Sequence, residues 1–475
     1  MNGAMFQRLA PRNTQRGTIQ KHIYTAFGVG MSINLVSIYI GNPYIVSLLL
    51  LPIALIATIK WMAQPVPWVV LVSVIAANPV NTNAPIALNL IFAIFLIMLN
   101  MQLLERLPSW LYLILIFAFI SILGSVIDWD STGTFFTQFA AIGNYVIGPF
   151  FLLPLIYFRL QKEVDADLLL TVFVFSLIVP SIILIFLARL LGTPVIGVNS
   201  AGFGYLVNIS IYHFVNTDFY FTRTQVGILL AALICASFAI ITTDFNNKLI
   251  RLITFVCLIG AIFILLVTGS VGSSLTALGG TALLLGVARR YLSIKKQLVI
   301  LPILLALALV GWNQLPEGIK GYVESRYEQK VAGGIDTSDR SGRWQTSLDY
   351  LIKNPLGRGW DLYVEPIGTY PHNDYISYGI AFGFACGLLY LFVPMKILLS
   401  MISYKEHLTN PARVAILLAG VGATAVLVVN SFSDHLTANR WYFNIIWSII
   451  WYSYFATKSL NIYMKQRPLC RETTQ

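Results

Sequence analysis

The sequence predicts an all-α fold, a polytopic transmembrane helix bundle, on three observations. Hydrophobic residues make up 57% of the 475 and charged residues only 11%, where a soluble domain carries about 25% charged. Mean hydropathy is +0.75. Apolar runs of span length recur along the chain, separated by short polar connectors. One interruption, 311–371, far exceeds ordinary connection lengths, which marks it as a candidate for function.

The chain opens with Arg8, Arg12, Arg16 and Lys21 before an apolar run. That run leads directly into a second one with no small-residue cleavage site between them, so it reads as a retained first span and not a removable signal. A span needs about 20 mainly apolar residues. On that template about fourteen helices are expected, with about twelve as the alternative count. Their expected extents are 25–41, 43–60, 66–80, 85–102, 109–127, 140–158, 168–190, 224–243, 249–268, 273–289, 297–312, 375–399, 412–431 and 441–458. The third is short and proline-flanked, the eighth begins beside Arg223, and the tenth is rich in small residues. This gives a cytoplasmic segment 1–24, a bundle 25–458 with extracytoplasmic loops 191–222 and 311–371, and a cytoplasmic tail 459–475.

Charge placement sets the expected orientation. With the N-terminus inside, the inner segments collect Lys60, Arg106, Arg159, Lys162, Lys248, Arg251, Arg289, Arg290, Lys295, Lys296, Lys405, Arg413 and Lys458, while the short outer connectors 81–84 and 128–134 have no basic residue. That is the positive-inside pattern, with Arg189, Arg223 and Arg440 as exceptions near outer span ends. It puts both termini in the cytoplasm and the long loop outside. It also accounts for the formal charge of +11 without a nucleic-acid partner. Cys235, Cys257 and Cys386 fall in apolar spans and Cys470 in the tail, so neither a disulfide framework nor a metal cluster is expected. No phosphate-binding glycine fingerprint occurs, and no cofactor is expected.

Within the long loop, Trp344, Leu348, Leu351 and Ile352 fall on one helical face, with Arg340, Arg343 and Asp349 as the polar residues of the same segment. Asn354 and Pro355 stop that helix, and Gly357 and Gly359 permit a tight turn. An amphipathic helix over the outer mouth of the bundle is therefore expected, with its basic residues turned to a cavity. At the loop's end stands His372, followed by Asn373 and Asp374 where apolar sequence resumes.

Each candidate has a plain and a functional reading. Arg223 is either an interfacial arginine snorkelling to headgroups or a fixed cation gripping a diphosphate with paired donors. Arg340, Arg343 and Arg358 are either a solvated basic surface or an anion site beside Trp344. His372 is either structural or a general base, an imidazole titrating near neutrality (about 6.5 when unperturbed). Asp374 either orients that ring or stabilises a helix N-terminus, the second being favoured. The connector 431–440 adds Asp434, His435 and Arg440. Tyr322, Tyr327, Trp360, Tyr363 and Tyr370 suit either sugar stacking or an interfacial aromatic belt. Basic residues, an imidazole and aromatics at a membrane lip suit chemistry on an anion delivered by lipid.

These pieces resemble the bacterial O-antigen polymerase and O-antigen ligase superfamily. The matching segments are R-T-Q-V-G at 223–227, T-G-S-V-G-S-S-L at 268–275, S-G-R-W at 341–344, N-P-L-G-R-G at 354–359 and H-N-D-Y at 372–375. The resemblance covers roughly 205–400. It implies a metal-independent glycosyltransferase of the outer leaflet that uses a glycan on undecaprenyl diphosphate, alongside membrane lipids and other polysaccharide-export components. By the same resemblance Arg223 and Arg343 hold the diphosphate and His372 activates the acceptor hydroxyl. Arg340, Arg358, Trp344, Asn373, Asp374 and Arg440 are the expected substrate-binding residues. One departure is Val271, where the family often has arginine; that contact is then missing or falls to Arg340 or Arg440. A polymerase making O-antigen or exopolysaccharide is the preferred reading and a ligase to lipid A–core the alternative. A lipid-linked oligosaccharide flippase predicts charge in mid-span, and a structural envelope subunit predicts an inert cluster.

Overall fold

The computed structural model describes residues 12–40, 65–76, 141–158, 165–191, 193–194, 209–210, 223–268, 270–289, 338–359, 371–404, 408–432 and 440–466. It also describes single helical positions among 52–56, 112–120 and 302–328, together with 138, 160 and 270. The elements are helical apart from one two-residue ladder, β1 (Thr193–Pro194) against β2 (Ile209–Ser210). The helices are α1 (Arg12–Ile40), α2 (Pro65–Ala76), α3 (Gly143–Leu152 running into Leu153–Phe158) and α4 (Ala166–Phe173, Val174–Ile178 and Val179–Leu191 in one rod). Then come α5 (Arg223–Thr242), α6 (Lys248–Thr268), α7 (Val271–Ala288) and α8 (Ser338–Lys353). The last are α9 (Asp374–Phe382), α10 (Phe384–Tyr404), α11 (Pro411–Ser431) and α12 (Arg440–Gln466).

α5 and α11 form the axis. Both are apolar all round and both are buried along almost their whole length, as a helix without a polar face must be. Lipid tails are as apolar as leucine, so close packing and not apolar burial selects their contacts, and small residues permit it. Cys235, Gly280 and Gly422 meet where α5, α7 and α11 cross; a Cβ at Gly280 would lie 2.7 Å from Cys235 Sγ. α12 fills the other side with aromatic rings. Phe150 and Trp447 sit 4.8 Å apart edge to face, and Trp451 Nε1 donates to the Pro149 carbonyl at 2.6 Å. α3 is wound wider than an α-helix around Pro149, with the Leu153 amide reaching back to Gly148; proline's missing N–H and ring disturb the normal ladder.

α6, α7 and α10 present Leu252, Val256, Phe263, Leu275, Leu278, Phe384 and Phe392 outward, the apolar exterior that a bilayer requires. Among the described residues five helices are long and apolar enough to cross a membrane: Ala166–Phe186, Lys248–Leu266, Val271–Ala288, Phe384–Tyr404 and Pro411–Ser431. The all-α class and the membrane setting stand. The expected spans 43–60, 85–102, 109–127 and 297–312 lie largely or wholly outside the described residues, and the larger count rests on the sequence alone. Three expectations change. The first helix begins at Arg12, not 25. The stretch expected as one helix over 375–399 is broken at Gly383 into α9 and α10. Positions assigned to loop, among them Glu317, Lys320 and Glu328, are helical, with Lys320 paired to Glu317 at 2.8 Å.

Candidate functional site

The break at Gly383 explains the N-P-L-G-R-G turn. α9 stops with Ile380, Ala381 and Phe382 buried, which leaves its last carbonyls without helical amide partners and out of reach of water. The turn after α8 supplies them. The Arg358 amide donates to the Ile380 carbonyl and the Gly359 amide to the Ala381 carbonyl, both at 2.9 Å, while the Phe384 amide donates to the Pro355 carbonyl at 2.9 Å. Gly357 (φ 83°) and Gly383 (φ 96°) are left-handed and face each other; a Cβ on Gly357 would lie 2.5 Å from the Gly383 nitrogen. Only glycine fits such a backbone crossing.

α8 lies on α9 through this turn and through two further contacts. Leu351 is buried against Gly379, and Trp344 Nε1 donates to the Pro371 carbonyl at 2.9 Å. That bond ties the turn of α8 carrying Arg343 to the residue before His372. His372 is half-buried and, among the described residues, is the non-glycine residue with positive φ (52°). Histidine tolerates this region better than most residues, yet such a conformation persists only where its surroundings impose it. Asn373 caps α9, its side chain accepting from the Ile376 amide at 3.2 Å, and its amide group reaches the Phe432 carbonyl at 3.4 Å. Asp374 is wholly buried, and the nearby Tyr390 hydroxyl pairs with Ser431 at 2.9 Å. Tyr375 donates to the Val428 carbonyl at 2.9 Å.

The first two motifs meet at the same end of the bundle. Gly227, one turn into α5 from Arg223, lies against the start of α7; a Cβ there would be 2.6 Å from Ser273 Oγ and 2.9 Å from Ser270 Oγ. Asn430, in the last turn of α11, donates to Thr276 Oγ1 at 2.9 Å. Through α11 the N-termini of α5 and α7 are thus linked to the N-terminus of α9 and so to α8. Arg223 and Arg440 are the first residues of α5 and α12, and Arg340 lies in the first turn of α8. Arg343 and Trp344 are half-buried, Arg358 is exposed, and Val271 is half-buried at the start of α7.

On α8 the apolar face and the packed face differ: Trp344 and Leu351 pack inward, Leu348 and Ile352 do not, and Ser347 and Tyr350 lie on the packed face. Among residues the sequence reading passed over, Asn430, Ser431 and Tyr390 join the motifs. The available signal was a polar pair closing an otherwise apolar span. Tyr322, Tyr327, Trp360, Tyr363, Tyr370, Asp434 and His435 lie outside the described residues. Among the described residues no group of three histidine, cysteine or acidic side chains is placed to hold a metal ion.

Residues 217–391 match the model of the O-antigen ligase family, Wzy_C. The match supports a place in the O-antigen polymerase and ligase superfamily, and it takes in Arg223, Arg340, Arg343, Arg358 and His372 but not Arg440. No curated protein matches the chain.

Proposed function

We propose, from the O-antigen ligase family match as premise, that the chain is a membrane glycosyltransferase that polymerises lipid-linked repeat units at the outer face of the inner membrane. The donor is a glycan on undecaprenyl diphosphate. Arg223 and Arg343 hold the diphosphate, and His372 takes the proton of the acceptor hydroxyl. That oxygen bonds to the anomeric carbon, the bond from that carbon to phosphate oxygen breaks, and undecaprenyl diphosphate departs carrying the electron pair. Negative charge grows on the leaving group, where fixed guanidinium donors in a partly dry site act most strongly. The supporting observation is the Trp344–Pro371 hydrogen bond, which holds the turn of Arg343 beside His372. The imposed backbone of His372 suits a residue positioned for chemistry. Tyr378 and Tyr390 stacked beneath it at 4.3 Å give α9 a rigid support.

A ligase that passes the glycan to lipid A–core uses the same chemistry, and the matched family's description favours that second reading. A flippase fits less well. Among the described residues, the fully or nearly fully buried charges Asp374 and Arg413 lie in the first turns of α9 and α11, not in mid-span. The deciding experiment supplies purified protein with lipid-linked repeat units, with and without an added lipid A–core acceptor. Wild type should lengthen the glycan without that acceptor and His372→Ala should not. Products that form only on lipid A–core would make it a ligase. Absence of any transfer, with repeat units crossing vesicles, would end the glycosyltransferase reading.

A further inference from the structure

The packed face and the apolar face of α8 do not coincide. Arg343, Trp344, Ser347, Tyr350 and Leu351 face the protein. The apolar stripe of Trp344, Leu351, Leu348 and Ile352 is centred about a quarter-turn further round, at roughly 100° per residue. Leu348 and Ile352 therefore stand off the packed face, 44% and 74% exposed. The remaining sector, with Gln345, Thr346, Asp349 and Lys353, is polar and exposed. Three sectors of different chemistry imply three environments: protein, hydrocarbon and water.

The neighbouring surface identifies the second environment. Leu356 continues the stripe past the end of α8 and is 46% exposed. Its neighbour Pro355 accepts from the Phe384 amide, which carries the apolar surface on to Phe384, Leu388 and Phe392, spaced four apart on α10. That helix is long and apolar enough to cross a membrane. The stripe on α8 thus runs on from a surface that lipid must cover. We propose that α8 is inserted edgewise in the leaflet on the site's side, with Leu348, Ile352 and Leu356 among phospholipid acyl chains and Thr346, Asp349 and Lys353 among headgroups and water. An amphipathic helix in this position sinks its apolar side about 5–10 Å below the headgroup boundary. Insertion rests on the membrane setting alone. Its consequence, that Arg343 is held at the depth of a lipid-borne diphosphate, rests on the proposed function.

Site-specific quenching tests the insertion and needs no glycan donor, so its failure is separable from a failure of sugar transfer. Full-length protein carrying Cys470→Ser and one of Leu348→Cys, Ile352→Cys, Thr346→Cys or Asp349→Cys is labelled with an environment-sensitive nitrobenzoxadiazole probe. It is then reconstituted in phosphatidylethanolamine–phosphatidylglycerol vesicles. Cys235, Cys257 and Cys386 are buried and free, and the four labelled positions are all off the packed face. Lipids bearing a doxyl group high on the acyl chain should quench the probe at 348 and 352 about threefold more than at 346 and 349, with aqueous iodide giving the reverse order. Equal quenching at all four sites would overturn the proposal. So would protection of 348 and 352 from both quenchers, the pattern expected if a second copy or another protein covered the stripe.

Discussion

Trp344 is the residue on which the position of α8 most depends. Its ring is half-buried, and its indole donates the hydrogen bond that holds Pro371. Trp344→Phe keeps most of the ring and removes the donor. A net loss of about 1 kcal/mol is expected for that bond, too little to unfold the protein but enough to loosen the chain around His372. Amide exchange at 372–376 should rise, and transfer should fall about ten- to hundredfold, the scale of a small misplacement of a reacting group. Unchanged exchange with full activity would make the bond incidental. Asp374 has a different part. Buried completely and sitting in the first turn of a capped helix, it favours the helix N-terminus. Asp374→Asn should therefore lower thermal stability by about 1 kcal/mol and leave the pH profile of transfer in place; a displaced profile would show that Asp374 acts through His372. Arg343→Lys should cost nearly as much activity as Arg343→Ala, because an ammonium loses the paired geometry of guanidinium. Full-length polymer from Arg343→Lys would rule that geometry out.

At the scale of elements, the turn and the broken helix form one unit. Gly357→Ala would place a Cβ 2.5 Å from backbone across that crossing. The left-handed conformation alone costs about 1–3 kcal/mol for a non-glycine residue. Lower melting in detergent and new protease cleavage near 354–359 are expected. Gly28→Ala, with nothing within 4 Å, should instead leave α1 unchanged or stabilise it by about 0.5–1 kcal/mol. The sequence announced this unit only in part. Asn354-Pro355 and the two glycines read correctly as a helix stop and turn, because those signals are local. The pairing of the turn's amides with carbonyls at 380 and 381 was not legible, since backbone hydrogen bonds between distant segments leave no side-chain signature. For the same reason 375–399 looked continuous, a single glycine in an apolar run being an ordinary feature of membrane helices. The apolar face of α8 was legible, and what lies against it was not. Periodicity finds the stripe, but it does not tell whether protein or lipid lies against it.

For the whole molecule, the two ends of the bundle are basic for different reasons. One end has Lys248, Arg251, Arg289, Arg413 and Lys458, where Arg413 is buried and donates to the Ala456 carbonyl at 2.5 Å. The other has Arg223, Arg340, Arg343, Lys353, Arg358 and Arg440. The positive-inside rule accounts for one cytoplasmic end only, so the second cluster calls for an anion. Which end faces outward is then a decisive question. Lipid-linked sugar chemistry on the cell's exterior requires the α8 end to be outside. Thr346 on α8 and Thr409 before α11 are exposed and lie at opposite ends, and in a Cys470→Ser background the remaining cysteines are buried. A membrane-impermeant maleimide applied to spheroplasts should label Thr346→Cys at once and Thr409→Cys only after the membrane is opened. The reverse order would put the arginines and His372 on the cytoplasmic side, where the second basic cluster becomes the one that topology explains and the anion site loses its argument.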